Sequence, residues 1–173
     1  LLIGTELMDK TLGIVGLGKI GREVMTRALP FGMNVLGYDP FVDQEMFNSD
    51  EIKIVDLDEL TERSDFITVH VPLNSQTENL FDKERLKNMK NSSRIINVSR
   101  GGIINEHDLA SALEDNEISG AAIDVFTVEP ISESNPLLKA PNTLLTPHLG
   151  ASTKEAKEGV SLSICEQIRD YLL

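Results

Sequence analysis

The sequence has a single cysteine, Cys165, so no disulfide framework can form and no thiolate cluster can hold a metal. Positive charge is also scarce. Lys and Arg number 16 against 28 Asp and Glu, a formal net charge of −12. That field disfavours nucleic acid as a partner. It does not forbid a small anionic ligand, because a local Arg or a helix N-terminus overrides the average. Apolar runs are far too short to span a bilayer, so no membrane association is expected. Leu1-Leu2-Ile3 has neither the basic flank nor the cleavage pattern of a signal peptide. The histidines, His70, His107 and His148, are not spaced as a metal cluster, and no metal site is expected. What is present is an ordinary soluble mix, 40% hydrophobic and 25% charged, over 173 residues. Such a chain can bury one sizeable core, and a cytoplasmic location is expected.

Short β-rich runs alternate with helical stretches, the pattern of a layered α/β fold. Strands are expected at Thr11 to Val15, Asn34 to Tyr38, Ile52 to Val55, Phe66 to His70, Arg94 to Val98, Gly120 to Asp124 and Thr143 to Leu145. Several are apolar almost without a break, as in a parallel sheet covered on both faces. Helices are expected at Lys19 to Leu29, Leu57 to Thr61, Lys83 to Lys87, Glu106 to Glu114 and Thr153 to Leu172. Asp56 with Glu59, and Ser152 with Glu155, have capping-box spacing, while Asp82 and Asn105 suit simple N-caps. The last helix carries Ala156, Val160, Ile164, Ile168 and Leu172 at every fourth position, a stripe expected to pack on the body of the fold. Cys165 beside it is expected to be a buried structural thiol. The reading is a doubly wound, mostly parallel sheet with helices on both faces, a Rossmann dinucleotide-binding fold forming one domain over 1–173. Residues 1–10 and the end of the 153–172 helix are expected to be connections to a substrate-binding domain that is absent here.

Gly16-Leu17-Gly18-Lys19-Ile20-Gly21 is a G-x-G-x-x-G run between the first strand and the first helix. In that context Gly16 makes the tight turn, Gly18 admits a pyrophosphate to the backbone, and Gly21 lets helix and strand approach. Lys19 and Ile20 open the helix on whose N-terminus the pyrophosphate would rest. Asp39 ends the next strand, 23 positions beyond Gly16. A carboxylate there accepts hydrogen bonds from ribose hydroxyls and repels a 2′-phosphate, so NAD is expected over NADP. On its own Asp39 could equally start the Asp39-Pro40 turn. His70, Val71 and Pro72 leave the fourth strand at the same edge, where they could line the adenine side or merely connect. Ser99 and Arg100 leave the fifth strand and Asp124 ends the sixth. With His148 and Gly150, they are candidates for contact with the nicotinamide half.

Hydride transfer from a hydroxy acid needs a group to hold the carboxylate and an acid/base to move the hydroxyl proton. Arg100 offers a fixed fork of donors suited to a carboxylate. An imidazole can both take and give a proton, which makes His148 the candidate acid/base. Glu129, if bonded to that His, would fix its tautomer and favour the imidazolium. Each has a plainer reading as a turn or surface residue, and spacing alone does not bring Glu129 to His148.

The residues together resemble the D-isomer-specific 2-hydroxy-acid dehydrogenases. The likeness runs from Gly4-Thr5-Glu6-Leu7 through Lys10 to Glu23 and Gly37-Tyr38-Asp39-Pro40 to His70-Val71-Pro72-Leu73. It continues through Asn97-Val98-Ser99-Arg100-Gly101-Gly102, Asp124-Val125-Phe126, Glu129-Pro130 and Pro147-His148-Leu149-Gly150. The resemblance implies that Arg100 binds substrate, Glu129 pairs with the catalytic His148, and Asp124 contacts the nicotinamide carboxamide. It implies NAD as cofactor, a small anionic hydroxy acid as substrate (3-phosphoglycerate in serine synthesis) and a homo-oligomer, a dimer or tetramer. Alternatives are another short hydroxy acid of the glyoxylate, hydroxypyruvate or D-lactate type, or a corepressor-like NAD(H) sensor without turnover. A third is a purely structural dimerisation module.

Overall fold

The computed structural model describes residues 4–42, 47 and 52–172. Leu1-Leu2-Ile3 therefore lies outside the described residues. Seven parallel strands form the sheet: β1 (Thr11–Val15), β2 (Asn34–Tyr38), β3 (Ile52–Ile54), β4 (Phe66–Val69), β5 (Arg94–Asn97), β6 (Gly120–Ile123) and β7 (Thr143–Leu145). Their order is β3-β2-β1-β4-β5-β6-β7. The chain winds outward from β1 to β3, returns to β4 beside β1, and winds the other way. The switch between β1 and β4 opens the crevice where ligands of such sheets bind.

Among the described residues, five α-helices connect the strands or follow them: α1 (Lys19–Ala28), α2 (Leu57–Arg63), α3 (Lys83–Lys87), α4 (Glu106–Glu114) and α5 (Lys154–Leu172). The period-2 alternation of each strand divides the core by face. Leu12, Ile14 and Val35 join Leu17, Ala28 and Met33 in one cluster, with Val24 and Met25 of α1 against it. Val15, Leu36, Ile67 and Val69 point the other way, into Leu57 and Leu60 of α2, Leu86 of α3 and Leu109 and Leu113 of α4. Each such fully buried side chain stabilises the fold by about 1.5–3 kcal/mol.

The caps follow short polar residues. Asp56 accepts from the Glu59 N–H at 2.7 Å, Asp82 from that of Arg85, and Asn105 from those of His107 and Asp108. Glu59 itself turns to Lys53 and Arg63, because cations on β3 and one helical turn away attract its carboxylate. At α5 the Oγ1 of Thr153, not Ser152, accepts from the Ala156 N–H, so that helix starts one residue later than expected. Its apolar stripe does not pack on the body: Val160, Ile164, Ile168 and Leu172 are each more than half exposed. Cys165, expected to be buried with them, is exposed for the same reason. Among the described residues, no helix is long and apolar enough to cross a membrane.

Candidate active site

The glycines after β1 each meet a different constraint. Gly16 has φ +97°, and a Cβ there would lie 2.6 Å from the His70 carbonyl oxygen. At Gly21 a Cβ would lie 2.0 Å from the Gly16 carbonyl oxygen, so α1 can approach the turn only without a side chain. At Gly18 nothing lies within 4 Å of the added carbon. The open space lies at the N-cap of α1, whose first turn has no side-chain cap and no acidic residue. Leading N–H groups at a helix start have no partner within the helix, and the dipole there favours an anion. Lys19 and Ile20 open that turn. This cradle fits a pyrophosphate.

Asp39 stands directly beside it. Its Oδ2 accepts from the Leu17 N–H at 2.9 Å and its Oδ1 from the Phe41 N–H at 3.0 Å. Each oxygen keeps a further lone pair for a ligand hydroxyl. Across the switch point, Val71 packs next to Gly16 and Pro72 is exposed. The His70 Nε2 lies 2.9 Å from the Thr68 hydroxyl, and burial lowers the imidazole below the usual histidine value. Burial thus disfavours the charged ring, and His70 stands as a wall of the crevice.

β5 ends on Asn97, whose buried amide organises the Ser99–Arg100 turn. The Arg100 side chain is exposed, with Nη1 donating to the Ser99 carbonyl at 2.6 Å. Gly101 lies so close to the next loop that a Cβ would sit 2.0 Å from the Phe126 backbone. The turn bearing Arg100 thus abuts the loop bearing Glu129.

That loop follows β6. Asp124, at its start, is 5% exposed, and burial alone would push its carboxyl up. Hydrogen bonds from the Thr146 hydroxyl and the Leu149 and Gly150 N–H groups, with the nearby His148 ring, outweigh burial and hold it below the usual range. The carboxylate therefore clamps the turn after β7, where His148 adopts φ +56°. His148 Nδ1 lies 2.8 Å from Glu129 Oε2, while Oε1 accepts from the Phe126 N–H at 3.0 Å. The His148 bond is the larger cause, the Phe126 bond the next, of a Glu129 carboxyl held below its ordinary value. With Nδ1 engaged, Nε2 is free to exchange a proton. A cavity of about 540 Å³ adjoins the pair, walled mostly by Phe126, Pro130, Ile131, Leu138, Leu145 and Pro147.

The structure thus brings Gly16, Gly18, Gly21 and Asp39 to one end of the crevice and joins Glu129 to His148, with Arg100 on the same C-terminal edge. Sequence reasoning missed Asn97, Thr146 and Glu106. The last accepts from the Thr127 N–H and hydroxyl and from Asn135 Nδ2, tying the Glu129 loop to α4. The available signal was polar residues closing or bordering apolar strands, Ile95-Ile96-Asn97 and Leu144-Leu145-Thr146.

Residues 1–150 match the family model described as D-isomer specific 2-hydroxyacid dehydrogenase, NAD binding domain. The D-3-phosphoglycerate dehydrogenase of Synechocystis sp. is 53% identical over 99% of this chain and 31% of its own length. The chain spans about a third of the curated relatives it matches. Among solved structures, an NAD-dependent formate dehydrogenase from Staphylococcus aureus in complex with NAD superposes with a TM-score of 0.87. It is 35% identical over 96% of this chain and 50% of that one. An acyclic imino acid reductase in complex with NADPH and D-arginine gives a TM-score of 0.89 and 35% identity, over 98% and 53% respectively. The chain belongs to the D-isomer specific 2-hydroxyacid dehydrogenases and is an NAD-binding domain of that family.

Proposed function

We propose that this chain is the cofactor half of an enzyme that oxidises 3-phosphoglycerate to 3-phosphohydroxypyruvate, the first committed step of serine synthesis. The observation that carries the chemistry is the His148–Glu129 hydrogen bond, on the sheet edge that also presents Arg100. The Synechocystis relative supports the substrate, since the likeness at 53% identity runs along the whole chain.

Arg100 holds the substrate carboxylate in a bidentate fork. The His148 Nε2 takes the proton of the 2-hydroxyl as the carbonyl forms, and Glu129 stabilises the resulting imidazolium. Bound NAD supplies the acceptor for the hydride that leaves C2. Asp124 orients the carboxamide side of the pocket, with Ser99 and Gly150 beside it. Run backwards, the same groups protonate the keto oxygen. The working unit is the domain over residues 1–173, joined through 1–10 and the end of α5 to a substrate-binding domain, in a cytoplasmic homo-oligomer.

The test is NADH formation by the complete enzyme with 3-phosphoglycerate against glycerate, D-lactate and glyoxylate or hydroxypyruvate in reverse. The expected kcat/KM for 3-phosphoglycerate or its keto acid exceeds the others by at least roughly tenfold. NADH is expected to bind more tightly than NADPH, since Asp39 meets a 2′-phosphate with like charge, and Asp39→Ala is expected to narrow the gap. A preference for a non-phosphorylated acid would overturn the substrate. Equal affinity for the two cofactors would overturn the role of Asp39.

A further inference from the structure

Asn97 closes the central strand β5 and is 2% exposed. Its side chain spends its capacity on the turn that follows. Oδ1 accepts from the Ser99 N–H at 3.0 Å and from the Ser99 hydroxyl at 2.8 Å, and Nδ2 donates to the Arg100 carbonyl at 2.9 Å. The amide orientation is fixed by these partners, because a backbone N–H can only donate and a carbonyl can only accept. The Asn97 carbonyl in turn accepts from the Asp124 N–H at 3.0 Å. One buried residue therefore touches Ser99, Arg100 and Asp124, which lie on two different loops of the candidate site. Gly101 completes the seating, because its contact with the Phe126 backbone leaves the turn no room to shift toward β6.

We propose that Asn97 is the positioning residue for Arg100: it fixes the backbone from which the guanidinium reaches the substrate carboxylate. The proposal rests on Arg100 being that anchor. An aspartate of the same shape lacks the donor for the Arg100 carbonyl, and an alanine satisfies none of the three contacts. Water cannot readily replace them at so buried a position. The Arg100 side chain is exposed and donates to the Ser99 carbonyl of its own turn, so its aim depends on that backbone rather than on packing around its side chain.

The experiment is a double-mutant cycle in the complete enzyme, Asn97→Ala with Arg100→Ala, assayed on 3-phosphoglycerate, with NADH affinity from nicotinamide fluorescence. Asn97→Ala is expected to raise KM by on the order of tenfold to a hundredfold, as an ångström of misplacement would. NADH affinity is expected to fall far less than KM rises, since the pyrophosphate and ribose contacts lie on β1, α1 and β2 and only the nicotinamide end borders the Asn97 turn. In the Arg100→Ala background the second substitution is expected to add no further loss, because two residues acting through one contact are not additive. Should Asn97→Ala fail to fold, Asn97→Asp is expected to give the same pattern. Additive losses, or equal losses in KM and NADH affinity, would overturn the proposal and leave Asn97 as a structural residue only. An Arg100→Ala enzyme with unchanged KM would instead overturn the reading of Arg100, and the Asn97 proposal with it.

Discussion

His148 holds a left-handed backbone conformation that costs a non-glycine residue about 1–3 kcal/mol. The Leu149 and Gly150 N–H groups bound to Asp124 supply the compensation, and the result is a ring held against Glu129. Glu129 is ionised below the ordinary glutamate range because His148 and the Phe126 N–H both stabilise its charged form. That benefit is fully present above the ordinary value and is lost as pH falls through the lowered one. The pair therefore survives mild acid. Removing the anion with Glu129→Gln takes away the stabilisation of imidazolium, so the acid limb of hydroxy-acid oxidation by the complete enzyme is expected to move to lower pH. His148→Gln is expected to lower kcat by about 10²–10⁴-fold with NADH affinity nearly unchanged. Steady-state pH profiles of both variants check this. An unmoved limb in Glu129→Gln would show that the 2.8 Å contact does not govern proton transfer.

At the scale of elements, the turn between β1 and α1 makes two glycines respond differently. A Cβ on Gly21 collides with the Gly16 carbonyl, whereas one on Gly18 meets only open space. Gly21→Ala is expected to destabilise the fold by roughly 1–3 kcal/mol, the usual cost of overpacking. Gly18→Ala is expected to leave thermal stability almost unchanged yet weaken NADH binding at least about tenfold, because the new methyl occupies the ligand's approach. Melting curves and NADH titrations of the two variants separate fold from function. Most elements were legible because their signals are local: short, almost unbroken apolar runs for strands, the glycine spacing for the turn, Asp82 and Asn105 for caps. The Glu129–His148 contact was legible only through the family resemblance and not from spacing, since the two are 19 positions apart and meet through two loops shaped by tertiary contacts. Asn97 fell inside the strand expected over Arg94 to Val98, and its role depends on a turn no periodicity describes. The stripe on α5 was visible, but a stripe shows that a face is apolar without saying what covers it.

For the whole molecule, the cofactor cradle and the reacting groups differ in completeness. The glycine turn, the start of α1 and Asp39 lie within one β1-α1-β2 unit, whose strands pair from Thr11 to Val15 and whose turn is held by Asp39. Arg100, His148 and Glu129 line a single open edge, with Arg100 and the ring of His148 exposed to solvent. A hydroxy acid on that edge would meet one wall among the described residues, and an error of an ångström costs about a hundredfold in rate. Closure by a second domain would supply the opposing wall. The direct measurement is to titrate these 173 residues with NADH by fluorescence or calorimetry and to assay the same sample for 3-phosphoglycerate oxidation beside the complete enzyme. Saturable NADH binding is expected, weakened at least about tenfold by Gly18→Ala, with turnover at least ~100-fold below the complete enzyme. No NADH binding by a folded sample, or full turnover from it, would contradict the account.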